Sequence, residues 1–258
     1  RTACWWSCAP RWGADVGTRH LALGALLGLA AGPLLAAPYE GYDEFYAGLG
    51  RNLFPGEGLE LQQACTDEPR HCLWTNALGV AAERYPDALW SAPGELGSEA
   101  PAGWPALVFD GSTLAVAGRT LSLADAVNLA PADWGGTSPQ DPESLASVTA
   151  WQQGTDLCLE LHYNGSGRMA RYSGVLVVRG GNLHVLPPLF AACGAVREGG
   201  NGVFFYPDTR YLEGPGDLPP GVQMDYRRSD GAASAETYRL RFSEPDNPYR
   251  FVIEPAPR

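Results

Sequence analysis

From Asp156 onward the hydrophobic period of this chain is two, and that alternation limits what its second half can fold into. In the run DLCLELHY, residues 156–163, Leu157, Leu159, Leu161 and Tyr163 share one side. Asp156, Cys158, Glu160 and His162 share the other. Successive strand side chains point to opposite faces, so this is the pattern of a strand with one face in the core. Asn164-Gly165-Ser166-Gly167 is a turn sequence, and a four-residue loop there sets Glu160 opposite Arg171. The next run, RYSGVLVVR, reverses at Gly180-Gly181-Asn182 into LHVL, which Pro187-Pro188 terminates. These segments predict a three-strand antiparallel meander.

A second β unit closes the chain. Val222, Met224 and Tyr226 share a face, as do Tyr238, Leu240 and Phe242 beyond a turn at 230–234. Asp225, Arg227, Arg239 and Arg241 fall on the opposite face. Pairing Asp225 with Arg241 forces Arg227 against Arg239, whereas pairing Asp225 with Arg239 sets Arg227 beside Thr237. Opposed like charges destabilise a sheet by up to about 1 kcal/mol, so the second register is expected. Residues 249–254, YRFVIE, add a last strand after the turn at 245–248.

Helical signals precede Gly154. YDEFYAGLG at 42–50 reads as a short helix ended by glycine. In residues 70–85, Trp74, Leu78, Ala81 and Tyr85 recur at three- and four-residue steps, and Pro86 stops the run. Ser122 fits a cap for LADAVNLA. Asp141, Pro142 and Glu143 read as a helix start that Gly154 closes. Two short strands, 106–109 and 113–117, flank Asp110-Gly111, after a Pro- and Gly-rich loop at 91–105. The fold class expected is therefore α+β. An N-terminal helical region, with helical signals to 154, is followed from 156 by antiparallel sheet (the meander plus the C-terminal hairpin), all in one domain over 38–258.

The first 37 residues predict export. LALGALLGLAAGPLLAA at 21–37 is uncharged and apolar, follows Arg19 and His20, and ends in small residues after Pro33. A basic flank, a short apolar core and a small-residue end make a secretory signal. The run is shorter and richer in Ala and Gly than a spanning helix of about 20 residues. Residues 1–15 are Trp- and Cys-rich and contain no Met, so translation is expected to start at Val16, with 1–15 untranslated. Export means an oxidising compartment, periplasmic or extracellular, where the remaining cysteines form disulfides. Cys65 and Cys72 are close in sequence around Pro69, which leaves Cys158 to pair with Cys193.

Charge then excludes partners. The formal net charge is −11, and removal of 1–37 leaves 15 basic against 28 acidic side chains, or −13. Such a chain repels nucleic acid and anionic membrane, and no stable membrane insertion is expected once the signal is cleaved. Every basic side chain other than histidine is Arg. Together with abundant Ala, Gly and Pro, this is the usage of a GC-rich, bacterial genome. The absence of lysine excludes Schiff-base catalysis, Ser-Lys dyads and phosphate-loop lysines.

No cofactor motif is present. There is no HExxH, CxxC or GxSxG, so no metal site is expected. Glu160 and His162, two residues apart on a strand, can share a proton and are the catalytic candidates. The same alternation would also place them on a solvated strand face. Arg227, Arg239 and Arg241 are candidate ligand-binding residues, because guanidinium forks suit carboxylates and phosphates. On a face that also carries Asp225 they would equally balance charge. Trp90, Trp104 and Trp134 lie outside periodic segments, where they would stack on a sugar, anchor a partner or staple loops to the core. The expected function is an exported binding or interaction module, a periplasmic partner or inhibitor, with a protein or saccharide as its partner. The competing class is a secreted hydrolase of saccharides or esters, using scattered carboxylates, Glu160 among them, or a serine with His162.

Overall fold

The computed structural model describes residues 37–65, 88–91, 103–131, 134, 145–165, 167–233 and 236–255. The apolar run as far as residue 36, the helix expected over 70–85 and the partner proposed for Cys65 lie outside the described residues. Ahead of the sheets comes one helix, α1 (Tyr42–Leu49). The strands are β1 (Leu59–Glu60), β2 (Gln62–Cys65), β3 (Ala88–Ser91), β4 (Leu107–Phe109), β5 (Thr113–Val116), β6 (Arg119–Ser122), β7 (Val127–Asn128) and β8 (Leu145–Gln153). They continue with β9 (Asp156–Tyr163), β10 (Ser173–Arg179), β11 (Asn182–Val185), β12 (Arg197–Gly200), β13 (Val203–Tyr211), β14 (Gly221–Arg228), β15 (Glu236–Glu244) and β16 (Asn247–Glu254).

The described residues form three sheets. The central one runs β1-β8-β9-β10-β11-β7, the second β12-β13-β14-β15-β16, and the third β2-β3-β4-β5-β6. The α+β expectation is thus overturned: the protein is a β-rich sandwich or half-barrel, with one α-helix among the described residues. The decisive departure is β8, expected to be a helix closed by Gly154. Val148, Thr149 and Trp151 favour a pleated surface, and β8 pairs with β9 from Leu145↔Tyr163 to Gln153↔Asp156. Gly154 has φ 60 and turns that hairpin instead of ending a helix. The Ser122 cap forms, accepting from the Ala124 amide, but serves a single 3-10 turn at Leu123–Asp125 before β7 begins.

Both faces of β9 are buried, so it is not the solvated edge that alternation suggested. Leu157, Leu159 and Leu161 pack with Leu107, Phe109 and Leu114 of the third sheet. On the reverse face Cys158 joins Val175, Val177 and Phe204 in another apolar layer. Each fully buried leucine contributes about 1.5–3 kcal/mol. A third cluster lies on the second sheet, where Val222, Met224, Tyr226, Leu240, Phe242 and Phe251 meet Phe45 and Tyr46 of α1. The helix over 42–50 forms as expected. Its buried residues, Tyr42, Phe45 and Tyr46, sit at i, i+3 and i+4.

The meander and the last strand follow the sequence reading, and the faces of β14 and β15 are those expected. Their register is not. Asp225 pairs with Thr237 and Arg239 with Gln223, a slip of two residues from the favoured pairing. A two-residue slip keeps every side chain on its face. It also gives Asp225 a hydroxyl donor across the strands, Thr237 Oγ1 at 2.7 Å. The β9–β10 connection is likewise longer than a four-residue loop: it contains a 3-10 turn at Met169–Arg171, and Glu160 lies opposite Val175 rather than Arg171.

Cys158 and Cys193 form a disulfide between β9 and the segment that crosses its reverse face. The bridge spans a sequence separation of 35, for which loop-closure entropy gives about 3–4 kcal/mol. Replacing both cysteines with Ala should lower unfolding free energy by about that amount in urea denaturation. A loss below about 1 kcal/mol would contradict this role.

Candidate functional site: an arginine ringed by tyrosines beside the Glu160–His162 row

Glu160 and His162 do meet, the carboxylate buried and the imidazole side chain 44% exposed. Glu160 is 9% exposed, and its Oε2 lies 3.3 Å from His162 Nε2. Its Oε1 accepts the Cys193 backbone N–H at 2.5 Å. Ser173, opposite His162 in β10, places Oγ 3.5 Å from Nδ1. The row Ser173–His162–Glu160 has the composition of a hydrolytic relay. Its geometry favours positioning. The serine is 9% exposed, and its own N–H is given to the Pro188 carbonyl, so it offers no oxyanion donor.

His184 of β11 shares that face through the pairing His184↔Val177↔Cys158 but lies opposite Val177, four residues further along β10 than Ser173. Its Nδ1–H donates to the Val177 carbonyl at 3.2 Å, and the ring stands edge-on to Phe204. Among the described residues, no three His, Cys, Asp or Glu side chains gather as a metal site.

The arginine face of the second sheet is neutralised in place. Arg227 meets Asp208 at 2.6 Å, Arg239 meets Glu254 at 3.3 Å, and Arg241 pairs with the same Glu254. Burial alone would raise the Asp225 carboxyl. Hydrogen bonds from Thr237 and Gln223 and the Arg210 guanidinium overcome that and hold it below the usual carboxylate range. The tryptophans separate. Trp90 belongs to β3, paired with Phe109, and not to a loop. Trp104 packs on the core between the central and third sheets. Trp134 is 37% exposed and stacks on Tyr172 at 4.8 Å.

Trp134 leads to a cluster that sequence reasoning missed. Arg171 precedes Tyr172, and its Nη1 donates to the Tyr211 hydroxyl at 3.2 Å. Tyr249, 40% exposed, comes from β16 and donates to the Ala170 carbonyl at 3.0 Å. Tyr42 of α1 stacks on Phe190 at 4.2 Å. Its hydroxyl is buried with no hydrogen-bond partner among the described residues. Burial pushes that hydroxyl's pKa up, Tyr211 and Tyr249 add to the rise, and Arg171 opposes it. Burial raises Tyr172 and Tyr249 as well, again near Tyr211 and Arg171.

Arg171 itself is half-buried and, among the described residues, has no carboxylate within ion-pair distance. The expected loop would have set it against Glu160; the longer connection releases it. These residues come from five separate segments, so no local spacing announces them. The one legible signal was Trp134 outside any periodic run.

A titration of stability checks the packing around His184 on the same face of the central sheet. Burial lowers the His184 pKa, partly countered by hydrogen bonds to Val177 and Asn182. The fold therefore favours the neutral ring. That contribution is complete above the ordinary value near ~6.5 and is lost as pH falls below it toward the depressed value. Between pH 7 and 5 the native protein should lose stability more steeply than His184→Gln in urea denaturation. Equal slopes would contradict the assignment.

Comparison with known protein families, with characterised proteins and with solved structures finds no match to this chain.

Proposed function

We propose that this is an exported binding module, periplasmic or secreted, whose ligand is a saccharide bearing a carboxylate. The observation that carries the reading is Arg171: a half-buried guanidinium with no carboxylate partner among the described residues, ringed by Tyr42, Tyr172, Tyr211 and Tyr249, in a protein of net charge −11. A charge left half-desolvated without a counter-ion is costly, and a ligand carboxylate offsets that cost with paired hydrogen bonds. The exposed faces of Trp134 and Tyr249 give a sugar ring apolar surface. The Tyr211 and Tyr249 hydroxyl oxygens keep acceptor capacity for its alcohols.

The acidic whole does not forbid such a ligand. Repulsion from distant carboxylates is screened beyond about 8 Å at physiological salt, while Arg171 acts at contact. Export accords with the disulfide and with the signal-like run at 21–37. Among the described residues no helix is long and apolar enough to cross a membrane. The hydrolase alternative rests on the Ser173–His162–Glu160 row, in which the serine is buried and both its N–H and Glu160 Oε1 are engaged within the fold.

Titration calorimetry with a short oligogalacturonate, and with its neutral galactose counterpart, tests the reading. The acidic sugar should bind saturably, with affinity falling as salt rises. Arg171→Ala should weaken it about tenfold or more, since hydrogen bonds to charged groups are worth about 1.5–3 kcal/mol. Equal binding by Arg171→Ala, or no binding of acidic sugars by the folded protein, would contradict it.

A further inference from the structure

Three hairpin tips meet at the open end of the layer between the central and third sheets. They are the β5–β6 turn at Ala117-Gly118, the β8–β9 turn at Gly154-Thr155 and the β10–β11 turn at Gly180-Gly181. Together they frame a cavity of about 490 Å³, within the ~300–1,000 Å³ range of small-molecule sites. Its walls include Val116, Leu121, Leu157 and Val178, so it opens directly into the apolar layer of that sandwich.

The rim is asymmetric in charge. Asp156 contributes to it, but its carboxylate is taken by Arg179, at 3.6 Å. Burial outweighs that ion pair and, with Glu198 nearby, raises the acid's pKa. Across the mouth, Arg119 is exposed and donates to the Gly181 carbonyl at 3.3 Å. Among the described residues it has no carboxylate within ion-pair distance. The guanidinium lies close over the β10–β11 turn: a Cβ at Gly181 would meet its two terminal nitrogens at 3.0 and 3.1 Å. Gly181 also has φ 80, so this position suits glycine on both counts.

We infer that this cavity is a second binding site, separate from the Arg171 cluster, for an amphiphilic carboxylate of the fatty-acid class. The apolar chain fills the space between the sheets, and the carboxylate meets Arg119 at the rim. Arg119 presents a planar fork matched to a carboxylate. The walls replace water around the chain, and each methylene removed from it should weaken binding roughly fourfold.

The test is calorimetric titration of the full-length mature protein with laurate, octanoate and dodecanol below their aggregation limits. Laurate should bind one-to-one, and octanoate far more weakly, in line with the methylene increment. Dodecanol, which lacks the charge, and the Arg119→Ala variant with laurate should each lose tenfold or more. Leu121→Trp, which fills the cavity, should abolish binding while circular dichroism still reports the native sheet. If that variant fails to fold, the surface change Arg119→Glu carries the same test. No saturable laurate binding by the wild type would overturn the inference. So would unchanged affinity in folded Leu121→Trp, or in Arg119→Ala and Arg119→Glu.

Discussion

Burial of both faces of β9 is the constraint on which the rest of this structure depends. One face is leucine and closes against the third sheet. The other carries Cys158 and Glu160, and both hold the same residue. Cys158 is covalently joined to Cys193, while Glu160 accepts the Cys193 N–H. A buried carboxylate needs such a donor, because an unpaired one would cost several kcal/mol. This double tie lays the segment after β11 across the central sheet. Within that segment Phe190 adopts φ 54, a left-handed backbone that a bulky residue keeps only when its surroundings hold it there. Its carbonyl accepts from Tyr46 of α1, its ring stacks on Tyr42, and its N–H binds the Arg171 carbonyl. The tie at Cys193 thereby sets both the helix and the backbone that presents Arg171.

The same constraint separates what the sequence revealed from what it hid. Alternation identified β9, β10, β11, β14, β15 and β16, because period two is a local property. It could not show that the polar-looking face of β9 would be covered, since the cover is β13 and the segment around Cys193. Both lie well beyond β9 in the chain. Nor could local signals separate a helix closed at Gly154 from a strand turned there, because glycine serves both. The strand won through pairing along all of β9. In the C-terminal hairpin, repulsion between arginines rejected one register correctly. The choice made, Asp225 opposite Arg239, lost to a slip that offers Asp225 the Thr237 hydroxyl and leaves Arg210 as its charge partner.

The two candidate sites share one logic. In a chain rich in acids, most described arginines of the second sheet sit in carboxylate pairs, so their charge is already matched. Arg171 and Arg119 are held otherwise, by a tyrosine hydroxyl and by a backbone carbonyl. Each also adjoins apolar surface suited to a ligand: aromatic rings beside Arg171, an aliphatic cavity beneath Arg119. Glu160, one of the two catalytic candidates, also holds the Cys193 backbone N–H, which ties down the segment whose Phe190 N–H binds the Arg171 carbonyl.

The central claim, a central sheet covered on both faces, is tested most directly by native-state hydrogen exchange resolved along the chain. Amides of β9 and β10, from Leu157 to Leu161 and from Val175 to Val178, should be the slowest to exchange. Their protection should approach the free energy of global unfolding, and they should outlast the amides of β16. Rapid exchange at Cys158 and Glu160, with protection no greater than that of β16, would show that the reverse face of β9 is open and would contradict the account.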